Sequence, residues 1–185
     1  MNNIKYFDHA ATTYVKDEVL KEMLPYFGLN FGNPSSLYTI GRRSKMAIEH
    51  AREQIAHAIG ASQKEIYITG CGSESDNLAI KGIAYANRNK GNHIITSKIE
   101  HHAVLNTCKT LEDEGFKVTY LNVDKDGKIN LNELENAIND DTLLISIMTA
   151  NNEIGTIQPI IKIGEIAKKH SVYFHTDAVQ AIRKY

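Results

Sequence analysis

A short β-branched and aromatic run, Ile66-Tyr67-Ile68-Thr69, leads into Gly70, Cys71, Gly72 and Ser73, with Asp76 three residues after the serine. The two glycines free the backbone for a tight turn. Ser73 and Asp76 have the spacing of a capping box, so a helix is expected to start there. A strand, a glycine turn and a helix leave backbone N–H groups unpaired at the positive end of the helix dipole, a natural seat for a phosphate. The loop is neither a Walker loop nor a G-x-G-x-x-G loop, and on its own an ordinary βα turn explains it better. Three further polar groups change the balance: Glu100-His101-His102, Asn151-Asn152-Glu153, and Asp177 with Gln180. Together they offer an anion cradle, an imidazole, an amide, a carboxylate and a second amide, with no metal-ligand spacing such as H-E-x-x-H. A flat nitrogen heterocycle with a phosphate tail would use this whole set. Pyridoxal 5'-phosphate asks for it, because its pyridinium needs an acidic partner to act as an electron sink.

The periodicity of the chain places these groups at equivalent points. Asn2–Thr13 reads as an extended arm, and a helix is expected near Asp17–Tyr26, with acidic residues in its first turn. Asn30–Ser36 is a loop by composition. A long helix is expected over Thr39–Ile59, with an apolar stripe of Ala47, Ile48, Ala51, Ile55 and Ile59 and with Gly60 ending it. From Ile66 onward strands and helices alternate. The strands are Ile66–Thr69, His93–Ser97, Lys117–Val123, Thr142–Met148 and Val172–Thr176, and the helices lie near Ala103–Glu114, Leu131–Asn139 and Pro159–His170. The nearly continuous apolar run at Thr142–Met148 suits a strand buried on both faces. This alternation predicts an α/β fold, a three-layer α/β/α arrangement around a mostly parallel sheet. Each polar group then follows a strand, at the sheet edge where such folds build their sites.

The 185 residues are 42% hydrophobic and 23% charged, enough for a domain with a real core. A net charge of −1 without a basic block gives no reason to expect nucleic acid or an anionic membrane as partner. No apolar run has the length of a membrane span, and the N-terminus lacks a signal-peptide core. Cys71 and Cys108, the only two cysteines, form no C-x-x-C pair, so the default compartment is a reducing cytoplasm. Asn122–Glu133 has the oxygen spacing of a calcium loop, yet a strand precedes it where a calcium hand needs a helix, so an acidic βα connection is expected. Cys71 in the glycine turn reads as incidental, Cys108 as packing, and the His175-Thr176-Asp177 run as something other than a metal pair.

Six stretches in order resemble a known family: Y-F-D-H-A-A-T-T at 6–13, F-G-N-P-S-S at 31–36, S-E-S-D-N-L-A-I-K-G at 73–82, E-H-H-A-V-L-N-T-C at 100–108, N-N-E-I-G-T-I-Q-P at 151–159 and F-H-T-D-A-V-Q-A at 174–181. In these the chain resembles the N-terminal half of a cysteine desulfurase of the NifS/IscS type, within the class V aminotransferase-like, fold-type I pyridoxal phosphate enzymes. The resemblance implies that Gly72 and Ser73 contact the phosphate, where the family usually has Ala-Thr. It implies that His101 stacks on the pyridine ring and assists proton transfers, and that Asn152 lies beside the ring's substituent oxygen. Asp177 would pair with the ring nitrogen and Gln180 would face the phenolic oxygen. Tyr14 and Tyr38 depart from the family's usual proline and histidine without removing a cofactor contact.

The same resemblance puts the Schiff-base lysine and the sulfur-accepting cysteine beyond residue 185. It implies an N-terminal arm and first helix over 1–30, part of the large cofactor-binding domain over 31–185, and no small C-terminal domain. The expected activity of the intact enzyme is conversion of L-cysteine to L-alanine, with persulfide sulfur passed to an iron–sulfur scaffold or another acceptor protein. The expected assembly is a homodimer, and the 185 residues alone are expected to be inactive. A selenocysteine lyase, an aminotransferase, or a non-catalytic binding module remain as alternatives.

Overall fold

The computed structural model describes residues 5–182. Asn2, Asn3 and Ile4 of the expected arm lie outside that range. The chain forms two compact units, Met1–Ile68 and Thr69–Tyr185.

In the first unit the arm does not stay extended. Asp8 turns it, its main-chain carbonyl and Oδ1 accepting from the Ala11 N–H at 3.2 and 3.3 Å. Helix α1 covers Asp17–Met23, and a 3-10 turn over Leu24–Phe27 replaces the rest of the expected helix. Pro25 sits at the start of that turn and has no N–H to continue α-helical bonding. Helix α2 spans Thr39–Ile59 as its sequence predicts, and Gly60 ends it in the left-handed region at φ 69°. Its expected apolar stripe is not a buried face, however. Ile48, Ile55 and Ile59 are 36%, 45% and 49% exposed, and the helix buries Gly41, Ser44 and Ala56 instead. Gly41 is buried because the Asn33–Ser36 loop crosses it; a Cβ there would lie 2.5 Å from the Asn33 carbonyl oxygen.

The second unit holds a parallel four-stranded sheet: β1 His93–Ser97, β2 Lys117–Leu121, β3 Thr142–Ser146 and β4 Tyr173–His175, in the order β2-β1-β3-β4. Its helices are α3 Gly72–Ala86, α4 His102–Asp113, α5 Leu131–Ala137 and α6 Ile160–Lys169. Alternate residues of the two central strands face opposite layers. Ile94 and Leu144 pack with Ile80 and Ala84 of α3 and Val104, Cys108 and Leu111 of α4. Ile95 and Ile145 pack with Leu134 of α5 and Ile163 and Ala167 of α6. Both strands are buried along their whole length, as the apolar run at 142–148 predicts. The result is the expected three-layer α/β/α arrangement. From β1 the chain steps to β2 with α4 on one face, then from β3 to β4 in the opposite direction with α6 on the other face, as a constant crossover hand requires.

One expected strand is missing. Residues 66–69 join no ladder among the described residues. Their β-branched composition suits a strand, but a strand exists only where a partner supplies the hydrogen bonds. The acidic βα connection does form. Asp124 Oδ1 accepts the N–H groups of Asp126 and Lys128, both at 2.9 Å, and Asn130 Oδ1 accepts from Asn132 and Glu133 to cap α5. These oxygens serve the turn and the helix cap.

Candidate functional site at the carboxyl edge of the sheet

Sheet order places a switch point between β1 and β3, since the chain leaves β1 for β2 on one side and continues to β3 on the other. Glu100 bridges that point. Its carboxylate accepts from Ser97 Oγ at 2.6 Å and from the Met148 N–H at 3.1 and 3.0 Å, tying the end of β1 to the residues after β3. Glu100 is 5% exposed, and burial pushes its carboxyl up from 4.5 to about 7. The Ser97 and Met148 hydrogen bonds oppose that rise, while the charges of Asp177 and Asp76 add to it. The folded protein therefore holds this proton to higher pH than the unfolded chain does. Stability falls as pH rises from about 4.5 to about 7, by at most about 1.4 kcal/mol per pH unit for this one group. Glu100→Gln removes the titrating group and keeps an oxygen for Met148. It is expected to flatten that part of the curve, read as urea midpoints across the window; an unchanged slope would remove the assignment.

His101 follows immediately and opens α4. Its Nδ1 accepts the Ala103 N–H at 3.1 Å, so the neutral ring carries its proton on Nε2, and the side chain is exposed. The capping role was not legible as such, because histidine is an uncommon N-cap.

After β3, Asn151 holds the loop. Its amide donates to the Ile99 carbonyl at 2.9 Å, and its Oδ1 accepts from the N–H groups of Glu153 and Ile154 at 2.9 and 3.0 Å. This leaves Asn152 half-buried, its amide donating to Glu153 Oε1 at 2.8 Å.

After β4, the Thr149 N–H donates to the Asp177 carbonyl at 2.8 Å, extending the β3–β4 pairing past the strand. Asp177 is half-buried, and its Oδ1 accepts the Val179 N–H at 3.0 Å. Gln180, one turn further on, is also half-buried.

The glycine turn differs in detail from its sequence pattern. Helix α3 begins at Gly72, so Ser73 lies inside the first turn and does not cap it. Cys71 occupies the N-cap position without a side-chain cap bond. The turn is braced from elsewhere: Glu74 Oε2 accepts the Gly70 N–H at 2.6 Å, and the Thr69 and Ser75 hydroxyls are 2.6 Å apart. Asp76, the expected capping-box partner, is buried and lies 3.5 Å from His175 Nε2. Cys71 makes no side-chain cap bond, so the first-turn N–H groups of α3 lack that partner and suit an incoming anion. A Cβ on Gly72 would stand 3.0 Å from Val179 Cγ2, so this residue lets the 177–180 segment approach the helix end.

The structure thus brings the α3 end and the Asp177–Gln180 segment together, and it places His101 and Asn152 on the same carboxyl edge. The sequence suggested a capping role for Asp76 and gave no individual role to Glu100 or His175. The i, i+2 spacing of His175 and Asp177 was the available signal, since alternate residues of an extended chain share a side.

The family described as Aminotransferase class-V matches residues 5–185. The chain belongs to the class-V aminotransferase family. Within this family it is 66% identical over 181 residues to a cysteine desulfurase IscS from Methanosarcina thermophila, covering 98% of this chain and 45% of the relative. A solved NifS-like protein superposes with a TM-score of 0.93 at 45% identity, over 95% of this chain and 49% of that one. A structure titled SspA in complex with cysteine does so with a TM-score of 0.93 at 48% identity, over 96% and 51%. The chain spans about half the length of these class-V relatives.

Proposed function

We propose that the protein containing these residues is a pyridoxal phosphate-dependent cysteine desulfurase. The observation that carries this reading is an α3 start without a side-chain cap bond lying against the 177–180 segment, where Val179 meets Gly72 and its N–H binds Asp177 Oδ1. The donor set fits the cofactor. Backbone N–H groups of the first α3 turn with Ser73 Oγ would hold its phosphate, Asp177 its ring nitrogen, and Asn152 and Gln180 its ring oxygen, with His101 over the ring. When bound, the cofactor draws electrons from the substrate's Cα. Asp177 keeps the ring nitrogen protonated. His101, with Nδ1 accepting the Ala103 N–H of α4, would present its Nε2–H as a donor over the ring. Support for cysteine as the substrate comes from the IscS relative at 66% identity and from the cysteine-bound SspA structure.

The reaction breaks the C–S bond of L-cysteine, leaves L-alanine and places the sulfur on an acceptor thiol, from which an iron–sulfur scaffold or another acceptor protein takes it. The assembly is a homodimer, residues 31–185 are part of its large cofactor-binding domain, and the compartment is the cytoplasm. Two free cysteines support a reducing compartment, and no helix among the described residues is long and apolar enough to cross a membrane.

The test is turnover of L-cysteine with a thiol reductant. Equal amounts of alanine and sulfide are expected. Turnover of selenocysteine alone would favour a lyase, and amino transfer to an oxo acid without sulfide would favour an aminotransferase.

A further inference from the structure

Asp76, Ser146 and His175 form a buried chain that the proposed cofactor contacts do not use. His175 Nδ1 lies 2.8 Å from Ser146 Oγ, and its Nε2 lies 3.5 Å from Asp76 Oδ1. The side chains of His175 and Asp76 are 13% and 6% exposed, and Ser146 is fully buried, so none of the three is placed to meet a substrate. They come from three elements. Asp76 is on α3, four residues past its start, Ser146 ends β3, and His175 ends β4 two residues before Asp177.

We propose that His175 is a positioning residue that fixes the distance between the anion-binding end of α3 and the Asp177 carboxylate. This rests on the cofactor assignment above. A ligand with a phosphate at one end and a ring nitrogen at the other is held well only if those two points keep their spacing. The sheet fixes β3 and β4 to each other through the Ile147 N–H to the His175 carbonyl, at 3.1 Å, and the Thr149 N–H to the Asp177 carbonyl, at 2.8 Å. The Asp76–His175 contact is what ties the α3 side chains to the end of β4. In the tautomer with Nε2–H, His175 Nδ1 accepts a hydrogen bond from the Ser146 hydroxyl and the Nε2–H faces Asp76. A protonated ring keeps both contacts with the Ser146 hydroxyl reversed. The imidazole therefore serves as a two-ended spacer in either charge state.

The test uses the full protein carrying His175→Phe, with two probes. Pyridoxal phosphate, followed by fluorescence titration, engages both ends. Inorganic phosphate, followed by 31P line broadening, engages the α3 end alone. Pyridoxal phosphate affinity is expected to fall about tenfold or more while phosphate broadening matches the parent. Asp76→Asn is expected to give a similar loss, and the double variant no further loss. His175→Gln, with a donor and an acceptor of its own, is expected to recover most of the affinity. Unchanged pyridoxal phosphate affinity in His175→Phe would overturn the proposal. So would joint loss of both ligands with a lowered melting temperature, which marks a folding role only. A parent protein that binds no pyridoxal phosphate would overturn the cofactor assignment itself, a failure visible before any variant is made.

Discussion

Asp177→Ala will weaken pyridoxal phosphate binding by about ten- to a hundredfold, the range expected for losing one hydrogen bond to a charged partner. The carboxylate sits at the end of β4, fixed by its own main chain through Thr149 and by Val179 N–H on Oδ1. Alanine removes the charge and the Oδ1 acceptor of the Val179 N–H while leaving the Thr149 bond to the main-chain carbonyl, so the asparagine variant is needed to separate the ring nitrogen from the loop. Asp177→Asn separates charge from shape: it keeps the size and one acceptor oxygen but cannot stabilise a pyridinium. It is expected to bind nearly as poorly as alanine. Equilibrium dialysis with the cofactor decides this, and equal affinity in all three proteins would remove Asp177 from the ring nitrogen.

The second large effect is on stability. Leu144→Ala is expected to cost about 2–5 kcal/mol. Leu144 is fully buried at the middle of β3, flanked by β1 and β4 in the sheet and packed in the cluster that holds Ile80, Ile94 and Val104. Neither neighbouring strand can move into the space without breaking a ladder, so the cavity stays open. Set against a typical domain stability of roughly 5–15 kcal/mol, a loss of this size leaves a visibly destabilised protein. Ile161→Ala on α6 is the control. Ile161 is 80% exposed, and its change is expected to stay within about 0.5 kcal/mol. Urea unfolding followed by circular dichroism gives both numbers, and equal values would contradict the burial argument.

The parts of the fold that read correctly from the chain are those with local causes. The run Leu143–Met148 is apolar at every position but Ser146, which suits a strand covered on both faces. Gly60 ends α2 because a left-handed residue follows the helix whatever surrounds it. The parts that did not read correctly depend on distant partners. Ile66–Thr69 has the composition of a strand, but a ladder requires a second strand at the right place. The stripe at Ile48, Ile55 and Ile59 has the right period, yet no described part of the chain covers it.

The candidate site divides the same way. His101, Asn152, Asp177 and Gln180 stood out because polar residues follow strands there. The Glu100 clamp on Met148 spans 48 residues, and the pairing of Asp76 with His175 spans 99, so no local pattern could announce either. Ser73 with Asp76 imitated a capping box because serine and aspartate at that spacing are common to caps. The structure sends Asp76 inward to His175.

Strand β4 is three residues long and has one neighbour among the described residues. Fewer ladder bonds mean a smaller free energy of local opening, so amide hydrogens near Tyr173–His175 should exchange with solvent sooner than those of β1 or β3. His175 and Asp177 ride on that segment. A ligand that needs both in place binds only the closed form, and its occupancy slows exchange there first. The stretch of sheet that opens most readily is thus the one whose closure a bound cofactor would record.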